Sequence, residues 1–113
     1  MNAVDSSCWL EYFAGTAMAK RYTAAIEDVD NLVVPAIALY EVFKKVYGAA
    51  GESQALTAVA HMRQGRIVDV DARLAIDAAR LAAEHKLPMA DSLIYAAARR
   101  HGATLWTQDE HFA

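Results

Sequence analysis

The chain has a single cysteine, Cys8, in 113 residues. That excludes an internal disulfide and any zinc site built from cysteines. No run approaches the roughly 18 apolar residues that cross a membrane as a helix. The start shows no cationic stretch followed by an apolar segment, so no secretory signal is expected and the cytoplasm is the default compartment. Positive charge is not in excess: 11 Lys and Arg stand against 14 Asp and Glu, a net charge of -3. A general electrostatic sponge for nucleic acid is thereby excluded, and any such binding must come from a local patch, a metal or a partner. Glycine and proline are sparse, at 5 and 2 residues, and no linker, repeat or low-complexity segment interrupts the chain.

What is present is alanine and short apolar runs. The hydrophobic fraction is 56%, much of it alanine, which favours helix and close helix–sheet packing. The length suits one domain, residues 1–113, with one core. Four short strands are expected, at 2–4, 32–34, 66–70 and 103–107, with Pro35 stopping the second. Helices are expected between them. Ser6 or Ser7 caps the first, which carries Trp9, Tyr12 and Phe13. An amphipathic helix covers 17–28 through Met18, Tyr22, Ala25 and Ile26. The next stripe is Leu39, Val42, Phe43, Val46 and Tyr47, ending near Gly48 and Gly51. A helix over 52–64 carries Leu56, Val59 and Ala60. Asp71 caps a helix with Leu74, Ala78, Leu81 and Ala82. The last helix covers 90–101, with Gly102 following it. Strands separated by helices imply βαβ units, a parallel sheet and helices on both faces.

In such a sheet all strands end on one edge, and ligands sit there. Asp5 follows the first strand. Glu41 lies in the early turns of the helix after the second. Asp91 sits in the first turn of the helix that feeds the fourth, and Asp109 lies just past that strand. Each has a plain reading in isolation. Asp5 can cap a helix, Glu41 can pair with Lys44 and Lys45 on a helix surface, Asp91 can complement a helix dipole, and Asp109 can be a turn residue. Together they converge on one edge, where four carboxylates repel unless a cation sits among them. Hard oxygen donors select Mg²⁺ or Mn²⁺. A metal held by carboxylates and water is equipped to hydrolyse phosphodiesters.

Four segments then carry a resemblance: Val4-Asp5-Ser6-Ser7, Pro35 to Val42, Leu87 to Ala98 and Gly102 to Asp109. In this order they are similar to a PIN domain, and within that family to the VapC-type ribonuclease toxins of toxin–antitoxin pairs. The resemblance spans essentially the whole chain. It implies a three-layer α/β/α sandwich around a short, mainly parallel sheet. It also implies a fifth strand beyond Phe112, whereas this chain ends at Ala113, so four strands are expected here. It implies a Mg²⁺- or Mn²⁺-dependent endoribonuclease whose acidic quartet is Asp5, Glu41, Asp91 and Asp109. By the same resemblance, water activated by the metal is expected to attack phosphorus and leave a 5′-phosphate and a 3′-hydroxyl. Ser6 and Thr107 match supporting hydroxyls. A homodimer and a small antitoxin that covers the acidic cleft are further implications.

Lys44, Lys45, Arg63, Arg66, Arg99 and Arg100 are candidates for phosphate contacts, with Lys44 and Lys45 nearest Glu41 in sequence and Arg99 and Arg100 better suited to a helix C-terminus. His61, His85 and His101 have no companion at ligand spacing and read as packing or surface residues. His111 reads as solvated, and Cys8 as a small buried hydrophobe. The alternatives to a metal-dependent nuclease are a non-catalytic PIN-like module that binds RNA or protein and, much less favoured, a receiver-like domain. A receiver needs a lysine after a late strand, and Gln108-Asp109 stand there instead.

Overall fold

The computed structural model describes residues 1–108. Asp109 and His111 lie outside the described residues. The strands are β1 (Asn2–Val4), β2 (Leu32–Pro35), β3 (Arg66–Val68) and β4 (Thr104–Trp106). The helices are α1 (Ser6–Ala14), α2 (Lys20–Glu27), α3 (Ala36–Ala50), α4 (Glu52–Met62), α5 (Ala72–His85) and α6 (Met89–Arg100). Among the described residues, none of these helices is long and apolar enough to cross a membrane.

All pairings are parallel, in the order β3-β2-β1-β4. The chain steps outwards from β1 to β3, then crosses to the far side of β1 to form β4. β1 and β4 therefore flank a topological switch point, where a crevice opens outside the strand ends. The pairing of Ala3 with Leu105 and of Val4 with Trp106 sets that register. The Asp5 amide extends it by donating to the Trp106 carbonyl at 3.0 Å.

Alternation along the strands divides the core in two. Val4, Leu32 and Val34 face one cluster with Trp9, Ile26, Val42 and Met62 from α1 to α4. Ala3 and Val33 face the other, with Leu74, Ala78 and Leu81 of α5 and Leu93 and Ala97 of α6. Complete burial of a side chain such as Ile26 or Val42 contributes about 1.5–3 kcal/mol. The result is the expected three-layer α/β/α sandwich.

Several local expectations are corrected. Residues 17–28 are not one helix: a 3-10 turn at Ala17–Ala19 precedes α2. β2 includes Pro35, which pairs with Val68, because its φ of −62° and ψ of 137° are still extended. β3 ends at Val68, so Asp69 and Val70 belong to the approach to α5. On α4 the buried face is Ala55, Ala58 and Met62, and Leu56 is exposed. On α3 the buried residues are Ala38 and Val42, while Tyr47 is exposed. Small side chains let these two helices pack closely, so the larger residues beside them turn outwards.

Candidate active site

The acidic pocket forms where β1 and β4 end. Val4 is wholly buried and the next residue, Asp5, leaves the sheet at only 4% exposure. Its backbone is extended (φ −75°, ψ 168°), and its side chain caps α1. The sequence places the cap at Ser6 or Ser7, but both are already within the helix. Asp5 serves because its Oδ1 reaches back to accept from the Cys8 amide at 3.1 Å. The Ser7 hydroxyl donates to the same oxygen at 2.7 Å. Oδ2 remains for the Thr107 hydroxyl, which arrives from the end of β4. Capping and lining the pocket are therefore compatible in one carboxylate.

Ser6, the first residue of α1, donates its hydroxyl to Glu41 of α3. Glu41 forms no ion pair with Lys44 or Lys45 among the described residues. Asp91 enters from the first turn of α6, where the positive end of the helix dipole favours a carboxylate. Asp5, Ser6, Ser7, Leu10, Glu41, Lys45, Asp91 and Gln108 line a cavity of about 470 Å³. Three acids that lie far apart in sequence thus share one concavity, with Lys45 on its rim. The lining donors are oxygens, which suits a hard divalent cation that keeps part of its water shell. Among the described residues, no three acidic, histidine or cysteine side chains draw close enough to form a ligand cluster by themselves. Asp109, the fourth expected acid, lies outside the described residues.

The other expected residues separate. Thr107 reaches the pocket through Asp5, and Lys45 lines it directly. Lys44 lies over the Tyr40 ring in the adjoining groove. Arg99 does not join the pocket. It stands eight residues beyond Asp91, about 12 Å along a helix, and lines a separate groove of about 870 Å³ between α5 and α6. There its guanidinium lies 5.8 Å from the centre of the Tyr95 ring. That larger groove is mixed in charge and remote from the acids.

Ser7 is the donor that sequence reasoning did not assign to the site. Its signal is local: a hydroxyl two residues after an aspartate can fold back onto that carboxylate. Cys8 is wholly buried, and its thiol donates to the Trp106 carbonyl at 3.6 Å. Burial, reinforced by the charge of Asp5, pushes this thiol up to about 12, so it is a packing residue and not a nucleophile.

The class defined by these features is a doubly wound parallel α/β domain with an acidic pocket at its switch point. The chain belongs to the PIN domain family, whose model matches residues 3–113. A search of curated proteins finds no match. Among solved structures, a toxin–antitoxin complex from Klebsiella pneumoniae aligns with a TM-score of 0.81 at 22% identity, covering 100% of this chain and 91% of that chain. VapC20 of Mycobacterium tuberculosis, a toxin that cleaves the sarcin-ricin loop, aligns with a TM-score of 0.82 at 22% identity over 99% of this chain and 93% of that one. DNA-bound VapBC of Salmonella typhimurium aligns with a TM-score of 0.74 at 17% identity over 99% and 91%. At these identities the likeness is one of fold.

Proposed function

We propose that this protein is a metal-dependent endoribonuclease, the toxin of a toxin–antitoxin pair. The observation that carries the reading is the meeting of Asp5, Glu41 and Asp91 in one pocket at the switch point. Toxin–antitoxin complexes among the structures that share this fold support it.

Asp5, Glu41 and Asp91 would hold Mg²⁺ or Mn²⁺, with Asp109 as the fourth acid. Such an ion, when bound, acidifies water and withdraws charge from the phosphodiester. The chain's own residues set the stage. Thr107, Ser7 and the Cys8 amide fix the Asp5 carboxylate by donating to it. Ser6 fixes Glu41 in the same way. Lys45 offers a cation to the phosphate at the rim of the pocket. A small antitoxin covering this cleft and a homodimer belong to the same reading.

One observation favours a second reading. Each of the Asp5 and Glu41 carboxylates is engaged by hydroxyls, and the described acids do not close into a ligand cluster. A non-catalytic PIN-like module that binds RNA or protein fits that arrangement. The deciding experiment incubates the purified chain with RNA while Mg²⁺ or Mn²⁺ is titrated. Cleavage that EDTA stops and Asp91→Asn abolishes, with the variant still folded, supports the nuclease. Binding without cleavage at any metal concentration supports the module.

A further inference from the structure

Tyr40 is 60% exposed, although it stands immediately before Glu41 on α3. A groove of about 460 Å³ runs along this helix, lined by Tyr40, Glu41, Lys44, Lys45, Gly48 and Ala49. It shares Glu41 and Lys45 with the acidic pocket, so the two concavities adjoin. The Lys44 ammonium lies 5.8 Å from the centre of the Tyr40 ring. Gly48 lies inside the helix, and a Cβ built there would meet nothing within 4 Å. Packing does not require glycine at this position.

This surface has the composition of a platform for single-stranded nucleic acid: an exposed tyrosine with Lys44 over one face of its ring and Lys45 lining the same groove, cations and an aromatic together. The acidic pocket repels a phosphodiester, so cations are needed on its approach. Lys44 and Lys45 supply them on the side where Tyr40 is presented. We propose that this groove seats the single-stranded RNA flanking the scissile phosphate, with one base stacked on Tyr40 and adjoining phosphates held by Lys44 and Lys45. The proposal rests on the ribonuclease reading and adds a base-stacking residue, Tyr40, to it. A base within a duplex already has both faces stacked, so the platform selects loops and unpaired strands. Stacking reads no base edge, so Tyr40 adds affinity for unpaired RNA without fixing its sequence.

The test measures binding apart from cleavage. A short unstructured RNA carrying a fluorescent label is titrated in EDTA with the full chain and with Tyr40→Ala, Tyr40→Phe and Tyr47→Ala. Tyr47 is an exposed tyrosine on the same helix that lines neither concavity. Tyr40→Ala is expected to weaken binding about tenfold, the size of one base–aromatic stack. Tyr40→Phe should stay within about twofold of the parent, because the ring is kept, and Tyr47→Ala should match it. Equal binding by Tyr40→Ala and the parent, or no binding by the parent, overturns the proposal. Conversion of a dimer to a monomer by Tyr40→Ala in sedimentation also overturns it and assigns the surface to a second copy of the chain. Metal-dependent cleavage by the parent is scored separately. Cleavage with Tyr40-independent binding rejects the platform and keeps the nuclease, whereas Tyr40-dependent binding without cleavage does the reverse.

Discussion

The Thr107 hydroxyl donates to the Asp5 carboxylate across 102 positions of sequence. The bond joins the residue after β1 to the residue after β4, the two strands that flank the switch point. Removing the hydroxyl while keeping the shape, as in Thr107→Val, leaves one Asp5 oxygen without that donor. On the proposed nuclease reading, the concentration of Mn²⁺ needed for half-maximal cleavage should rise by about tenfold or more, the usual effect when a metal ligand loses its supporting partner. Thr107→Ser should restore it. An unchanged metal requirement in the valine variant would reduce Thr107 to a packing role.

Asp5 has two tasks that substitution can separate. Asparagine caps a helix as well as aspartate does, and the Ser7 and Thr107 hydroxyls can rotate to meet an amide. Asp5→Asn should therefore unfold at a denaturant concentration close to the parent's while losing cleavage by about 100-fold or more, beyond the cost of a supporting partner. Asp5→Ala should lose activity similarly and also about 1 kcal/mol of stability through the missing cap. Urea unfolding of both variants beside a cleavage assay checks this. Equal stability of the two would deny the cap.

Arg100 grips Asp71 with two hydrogen bonds, of 3.0 and 3.1 Å. That grip, helped by the Leu74 amide, lowers the Asp71 carboxyl from 3.8 to about 2. A depressed carboxyl stabilises the fold above its unfolded value and stops doing so as pH falls through its folded one. The parent's advantage over Asp71→Asn should be full at neutral pH and should fade between about 4 and about 2. Asparagine keeps the cap on Leu74, so the difference isolates the ion pair. Unfolding curves of both proteins across that window give the measurement, and a constant gap would count against the pair.

Two glycines should respond in opposite directions to alanine. Gly48 lies within α3, and an added Cβ meets open space, so Gly48→Ala should stabilise by about 0.5–1 kcal/mol. At Gly65 the added Cβ would stand 2.9 Å from Val34 Cγ2 and 3.1 Å from two Leu32 carbons. Both neighbours are packed in the core and have little room to yield. Gly65→Ala should cost about 1–3 kcal/mol through overpacking. Thermal unfolding of the two variants is the check.

The strands at 2–4 and 32–34 were legible as short apolar runs between breakers. Asp71 was legible as a cap, with Leu74 three residues on. The shared edge of Asp5, Glu41 and Asp91 was legible too, because the ends of parallel strands and the starts of the helices between them follow from strand direction. Periodicity failed on α4, where alanine is so frequent that several faces look apolar. Only the approach of α3 decided that Ala55, Ala58 and Met62 would be buried and Leu56 would not.

The sequence by itself determined most of the element types and the acidic character of the pocket, since apolar patterning, caps and carboxylates are local properties of the residues. The tertiary structure alone decided that β4 returns beside β1, bringing Thr107 to Asp5 and placing Ser6 against Glu41. Those bonds join residues 102 and 35 positions apart, and no local rule specifies a partner at such distance. It also let Asp5 remain a helix cap while lining the pocket, because the two oxygens of one carboxylate face different neighbours.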